Sequence, residues 1–240
     1  MVHKEKRRNA LKKNNFFTQV SDFFLPRFCP GCERKLSYHE DFICPDCIAS
    51  IRLADDERIQ IEFDRNFRVP GFISGFTALY VFEKDKTLQQ IIHKLKYNHK
   101  FLIGKFLGKK IAEKLSDKIK SGRIDLIIPI PLHHLKIAER GYNQSEYIAK
   151  GISELTGLTY SKQILKRARY TETQTMLNQT ERQLNMAEAF KVKNKKKIID
   201  KIILLVDDIC TTGSTLNECA KLLSESGAKK IFACTVAIAD

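Results

Sequence analysis

The sequence predicts an α/β protein: an open, mostly parallel sheet flanked by helices, preceded by a small four-cysteine metal-binding module. Three observations lead there. An apolar run, Ile202-Ile203-Leu204-Leu205-Val206, ends on the paired acids Asp207 and Asp208 and passes through a small hydroxyl-rich turn into an amphipathic segment. Strand-like and helix-like stretches alternate from Ile124 onward, the order of a doubly wound parallel sheet. Two Cys-x-x-Cys pairs stand close together near the amino end, Cys29-Pro30-Gly31-Cys32 and Cys44-Pro45-Asp46-Cys47.

Taken in order, residues 1–25 read as a basic arm with a short apolar helix, residues 26–50 as the cysteine module, and residues 51–71 as a linker with a brief helix. The remainder, 72–240, divides into a hood of about 72–120 and a core of about 121–240. Phe76, Ala78, Tyr80 and Phe82 alternate, which predicts a strand within 72–82. Asp85 can cap a helix carrying Leu88, Ile91, Ile92 and Leu95, and another helix covers 102–119. Residues 124–128 form a strand, 129–134 a loop, and 140–155 a helix stopped near Gly157. An extended stretch over 164–170 leads to a polar loop, 171–179, and a short helix, 180–187. Strands follow at 189–192, 202–206 and 231–238, with a helix over 214–226 between the last two.

The chemistry concentrates where the strand at 202–206 ends. In open α/β sheets ligands bind at the carboxyl ends of strands, and a helix amino terminus there favours phosphate. Thr211, Thr212, Gly213, Ser214 and Thr215 offer backbone N–H groups and hydroxyls to a monophosphate, while Asp207 and Asp208 can accept hydrogen bonds from vicinal ribose hydroxyls. That combination suits a 5-phosphoribosyl group. Receiver domains also place paired acids at a strand end, for a metal, but early in the domain and without a Thr-Thr-Gly turn. Strand, acid pair and Thr-Thr-Gly in this order resemble the signature of type I phosphoribosyltransferases, which bind phosphoribosyl pyrophosphate (PRPP). When the bond from C1 to pyrophosphate breaks, positive charge grows on the ribose and negative charge on the leaving group. Asp207 and Asp208 are therefore the catalytic candidates, with Mg²⁺ and hydrogen-bond donors expected at the pyrophosphate.

Four thiolates in two Cys-x-x-Cys pairs can surround one ion tetrahedrally, so Cys29, Cys32, Cys44 and Cys47 are the metal candidates. The set suits a closed, structural Zn²⁺ site, and spacing alone leaves iron open. Disulfides conflict with the reducing compartment inferred below, and one redox motif would leave the second pair unexplained. Cys219 and Cys234 read as packing residues, and Cys210 as filler inside the phosphate motif.

A chain of 240 residues that is 43% hydrophobic can bury a full core. No apolar run approaches a membrane span, and the amino end lacks a signal-peptide core, which points to the cytoplasm. The net charge of +14 includes a cluster at Lys4–Lys13 and another at Lys191, Lys193, Lys195, Lys196 and Lys197. Such clusters can release phosphate counterions on binding nucleic acid, or simply form a solvated face. His93 and His99 read as surface helix residues, and neither a Ser-His-Asp arrangement nor a GxxxxGK[ST] nucleotide loop is present.

The cysteine pairs joined to the phosphoribosyl motif resemble the ComF family of competence proteins. Intermediate residues agree: Pro129-Ile130-Pro131-Leu132, then Arg140-Gly141-Tyr142-Asn143-Gln144, similar to the family's Arg-Gly-Phe-Asn-Gln element, then Thr173-Gln174 and Arg182, and Leu95-Lys96-Tyr97 ahead of the core. The resemblance runs from about Phe28 to the end. It implies PRPP binding, with Leu132, His133, Arg140, Asn143 and Gln144 joining the acid pair and the phosphate turn. Arg167, Arg169, Gln174 and Arg182 are candidates on a lid. It also implies a part in natural transformation, handling internalised single-stranded DNA with a translocase ATPase and a recombination-loading protein, and it leaves open whether PRPP is a substrate for phosphoribosyl transfer or a regulatory ligand. The alternative is a metabolic phosphoribosyltransferase that acts on a nucleobase and takes no part in DNA handling.

Overall fold

The computed structural model describes residues 26–84, 86–97, 100–122, 124–168 and 189–240. The basic arm, the Asp85 cap, His99, the helix expected over 180–187, and Arg169, Gln174 and Arg182 lie outside the described residues. Four parallel strands form the main sheet in the order β1-β6-β5-β2, with β1 at Phe76–Phe82, β2 at Leu126–Pro129, β5 at Ile202–Cys210 and β6 at Lys230–Ala239. A separate antiparallel ribbon pairs β3, Leu165–Arg167, with β4, Phe190–Val192.

Both faces of the main sheet are covered, which is why its central strands are nearly all apolar. Along β5 the side chains alternate: Leu204 and Val206 enter one core, Ile203 and Leu205 the other. The first core is closed by α3 (Thr87–Tyr97), α4 (Phe101–Gly122), α6 (Gln144–Thr156) and the cysteine module. The second is closed by α2 (Asp56–Phe63), the π-helical turn Asp64–Arg68, α7 (Ser214–Glu225) and the β3–β4 ribbon. Two short helices, α1 (Pro45–Ala49) and α5 (His134–Arg140), and a 3₁₀ turn at Lys195–Lys197 complete the described elements.

Several elements differ in extent from the sequence reading. β5 runs through Asp207 and Asp208 to Cys210, because its register with β6 continues to Cys210 opposite Ile238. The helix expected over 140–155 is two helices. Gly141 takes a left-handed conformation (φ 80°) that ends α5, and Asn143 caps α6 through a bond from the Ser145 N–H. Arg140 therefore closes α5, a helix that starts at His134, rather than opening the next one. Within 51–71, expected as a linker with a brief helix, Ala54 ahead of α2, Ile59 on α2 and Phe67 on the π-helical turn are buried in the second core. Within 72–120, assigned to a hood, β1 extends the main sheet and α4 packs along α6. None of the described helices is long and apolar enough to cross a membrane.

Candidate functional site

The carboxyl ends of β2 and β5 lie side by side, since Pro129 pairs with Val206. One step beyond Val206 come the two acids. Asp208 is buried (8% exposed), and its Oδ2 accepts from Lys96 Nζ at 2.8 Å and Gln144 Nε2 at 3.4 Å. Asp207 Oδ1 accepts from the Ser145 hydroxyl at 2.8 Å and from the Asp208 N–H at 2.9 Å. Two adjacent carboxylates in a desolvated place cannot both ionise freely. Burial, and then the Asp208 charge, push Asp207 up to about 7. For Asp208 burial pulls the same way, but the Lys96 ammonium and the surrounding donors outweigh it and hold the carboxyl below its ordinary value.

The turn after β5 leads into α7 with Gly213 at the cap in a left-handed conformation, φ 66°. Other helices carry a capping side chain, such as Asp55 on α2 and Asn143 on α6. Among the described residues no side chain caps α7, so its first N–H groups remain available to an anion. Thr212 and Ser214 hydroxyls share a hydrogen bond of 2.9 Å at the same place, and Thr211 and Thr215 flank them.

Across from the acids the loop 129–133 and α5 bring in positive charge. The Ile130 N–H donates to the Val206 carbonyl, and Asn143 Nδ2 donates to the Ile130 carbonyl, fixing the loop to β5 on one side and α6 on the other. His133 is buried and caps α5; burial, then His134 and Arg167, lower its pKa. Leu132 beside it is half-buried. Lys136 is likewise lowered, by burial and then by Arg140, Arg167 and Lys96, so these cations converge. Arg140 is 8% exposed, donates from Nη2 to the Tyr97 hydroxyl at 3.3 Å, and stacks on the Tyr97 ring at 5.0 Å. Among the described residues its Nε and the Oε1 of buried Gln144 have no hydrogen-bond partner. Buried polar atoms of this kind call for a ligand or water. Arg167 closes β3 and stacks on Phe190.

The structure thus brings together Asp207, Asp208, Gln144, Asn143, Arg140, His133, Arg167 and the Thr211–Thr215 turn. Sequence reasoning gave no site role to Ser145, Lys136 or Phe67. Ser145 directly follows Gln144, and Lys136 lies one helical turn before Arg140, so helix periodicity around known candidates was the available signal. Phe67 supports the phosphate turn from below: a Cβ on Gly213 would meet its ring at 2.7 Å.

The cysteine module forms a second centre. The sulfur atoms of Cys29, Cys32, Cys44 and Cys47 all lie within 4.8 Å of one another, and Cys32 and Cys44 are 3.7 Å apart. A tetrahedral ion with bonds of about 2.3 Å would place its sulfurs about 3.8 Å apart, so the donor set fits zinc geometry. The Cys44 N–H donates to Cys29 Sγ and the Cys47 N–H to Cys44 Sγ, each at 3.4 Å. Burial opposes the Cys29 thiolate, yet backbone N–H groups of Cys44, Cys32 and Gly31 bring that thiol down to about 6. The module is clamped to α3: Glu33 pairs with Lys94 at 2.6 Å, Ser50 Oγ donates to Thr87 Oγ1, and Gly31 approaches Cys47 and Thr87 too closely for a side chain. Cys210 lies elsewhere, buried at the end of β5, its thiol pushed up to about 12 by burial and then Glu62.

The family profile described as "Phosphoribosyl transferase domain" matches residues 103–239. The chain is 33% identical over 208 residues to competence protein F of Haemophilus influenzae, covering 85% of this chain and 81% of that protein. It is 29% identical over 203 residues to competence protein ComFC of Streptococcus pneumoniae, covering 85% of this chain and 84% of that one. A further relative, DNA utilization protein YhgH of Salmonella typhi, is 29% identical over 147 residues, 60% of this chain and 64% of its own.

Proposed function

This chain belongs to the ComF family of competence proteins and carries a phosphoribosyl transferase domain, and from that premise we propose that it binds PRPP with Mg²⁺ at the carboxyl edge of its sheet and handles internalised single-stranded DNA in the cytoplasm during natural transformation. The observation that carries the PRPP reading is the juxtaposition of three surfaces: the Asp207–Asp208 pair, the uncapped start of α7, and the cations Lys96, Lys136, Arg140 and Arg167. They match ribose diol, 5-phosphate and diphosphate in turn. Mg²⁺ bound with PRPP would supply charge neutralisation at the diphosphate.

The same arrangement suits transfer. As the C1–O bond to pyrophosphate breaks, Asp207 and Asp208 offer fixed negative charge to the ribose, and Arg140 and Lys136 offer donors to the leaving group. The acceptor forms the new bond to C1 and gives up its proton.

The DNA reading is supported by the relatives named for competence and DNA utilization, and by the β3–β4 ribbon. There Lys166 stands directly opposite Lys191, both exposed, with Lys193, Lys195, Lys196 and Lys197 exposed alongside. Like charges in register destabilise a ribbon, and a polyanion relieves them.

Titration calorimetry of PRPP with Mg²⁺ against wild type and Asp207→Asn/Asp208→Asn, with and without single-stranded DNA, tests the reading. Binding weakened at least about tenfold in the variant is expected, from the loss of charge-assisted bonds. No PRPP binding by wild type rejects it. Pyrophosphate release across nucleobases and nucleic acids separates a transferase from a protein that uses PRPP as a ligand alone.

A further inference from the structure

Lys96 reaches the acid pair from outside the residues that carry the phosphoribosyl motif. It lies in the last turn of α3, and its ammonium meets Asp208 Oδ2 at 2.8 Å. That oxygen also accepts from Gln144, while Asp208 Oδ1 accepts from the Ile209 N–H at 2.8 Å. Asp208 Oδ2 thus already holds two donors. A ribose hydroxyl can donate to Asp208 Oδ2 only by displacing one of its two donors, and the flexible lysine is the one not tied to β5 or α6.

The displaced ammonium has a defined place to go. The next residue, Tyr97, stacks on Arg140 and accepts its hydrogen bond, and Lys136 feels both Arg140 and Lys96. The α3 backbone stays fixed meanwhile: Leu95 is fully buried and its carbonyl accepts from the Tyr142 hydroxyl. Only the side chain of Lys96 needs to swing. A ligand with a ribose 5-phosphate end alone would strip Lys96 from Asp208 and leave it unpaired in a half-buried cluster of like charge. A ligand that also carries a diphosphate gives the ammonium a stronger partner.

We infer that Lys96 is a specificity-determining residue that competes with the ribose hydroxyls for Asp208 and is released to the diphosphate, so that PRPP is selected over ribose 5-phosphate. This rests on the PRPP reading above. The test is calorimetric titration of wild type and Lys96→Met with PRPP and, separately, with ribose 5-phosphate, Mg²⁺ present throughout. The two ligands should respond with opposite sign: PRPP dissociation constants rise about tenfold or more, and those for ribose 5-phosphate fall several-fold. A structural role for Lys96 would weaken both together, and parallel shifts or no shift would overturn the inference. If Lys96→Met does not fold, Lys96→Gln keeps a neutral donor to Asp208 and must show the same collapse in the ratio of affinities. Wild type that binds neither ligand refutes the PRPP reading itself. Wild type that binds PRPP, with an unchanged ratio in the variant, refutes only the role of Lys96.

Discussion

Phe67 lies directly beneath Gly213: a Cβ built on that glycine would come within 2.7 Å of the aromatic ring and 3.0 Å of Asn66 Cβ. Phe67 is completely buried, and the Asn66 carbonyl accepts from Asn217 Nδ2 on α7 at 2.8 Å. The π-helical turn and the first turn of α7 are therefore held as one unit. Gly213→Ala meets both a positive φ and a backed-up ring, at a cost of about 2 kcal/mol or more. The melting temperature should fall by at least about 4 °C. Phosphoribosyl ligands should bind weakly even where the protein remains folded, and calorimetry at low temperature checks this.

Two further glycines set the distance between α4 and α6. A Cβ on Gly108 would be 2.1 Å from the Ile148 carbonyl oxygen, and one on Gly151 would be 2.1 Å from that of Lys105. Backbone cannot yield as a side-chain tip can. Gly108→Ala or Gly151→Ala should each cost about 3 kcal/mol by forcing the helices apart. Because α6 carries Gln144 and Ser145, PRPP affinity should drop with stability. Paired denaturation and binding curves on each variant would show it.

The parts of this molecule legible in the sequence are those whose determinants are local. β5, the acid pair and the turn into α7 follow one another without interruption, and each Cys-x-x-Cys pair is contained in a single turn. The break at Gly141 was also written locally, as a glycine followed by the N-cap Asn143, but the apolar periodicity on either side concealed it. The Ile59, Phe63, Phe67 spacing marks a helix that buries one face, though the charged residues between them disguised how deeply it packs. What could not be read is contact between distant segments. Nothing near Lys96 announces Asp208, and nothing near Glu33 announces Lys94; those pairs exist because the sheet order and the cysteine module place α3 over the site.

Metal removal should propagate along that same route. The module contributes Cys29, Leu36, Ile43 and Cys44 to the core that also holds Leu88, Ile91 and Leu95 of α3. Its metal would supply much of its folding energy. Treatment with a strong chelator, or Cys29→Ser, should lower the melting temperature by several degrees and weaken PRPP binding through loss of the α3 anchor. Elemental analysis should give about one zinc per untreated chain. Chelation that leaves both melting and PRPP binding unchanged would show that the module and the site are independent.

The Asp207–Asp208 pair should leave its mark on stability against pH. Asp207, raised to about 7 by burial and by Asp208, binds its proton more tightly folded than unfolded. Its contribution is therefore fully present below the ordinary carboxyl range, near pH 4, and is lost as pH rises through about 7. Asp208, held low chiefly by Lys96 against the effect of burial, works in the opposite sense and loses its contribution only as the pH falls below the ordinary range. Asp207→Asn keeps an oxygen to accept from Ser145 and remains neutral throughout. Relative to wild type, this variant should gain stability progressively between about pH 4 and pH 7, and the difference should level off above that. Melting temperatures of the two proteins across this range isolate the effect, because every other titrating group is common to both. A constant difference would mean that Asp207 titrates in the folded protein as it does in the unfolded chain.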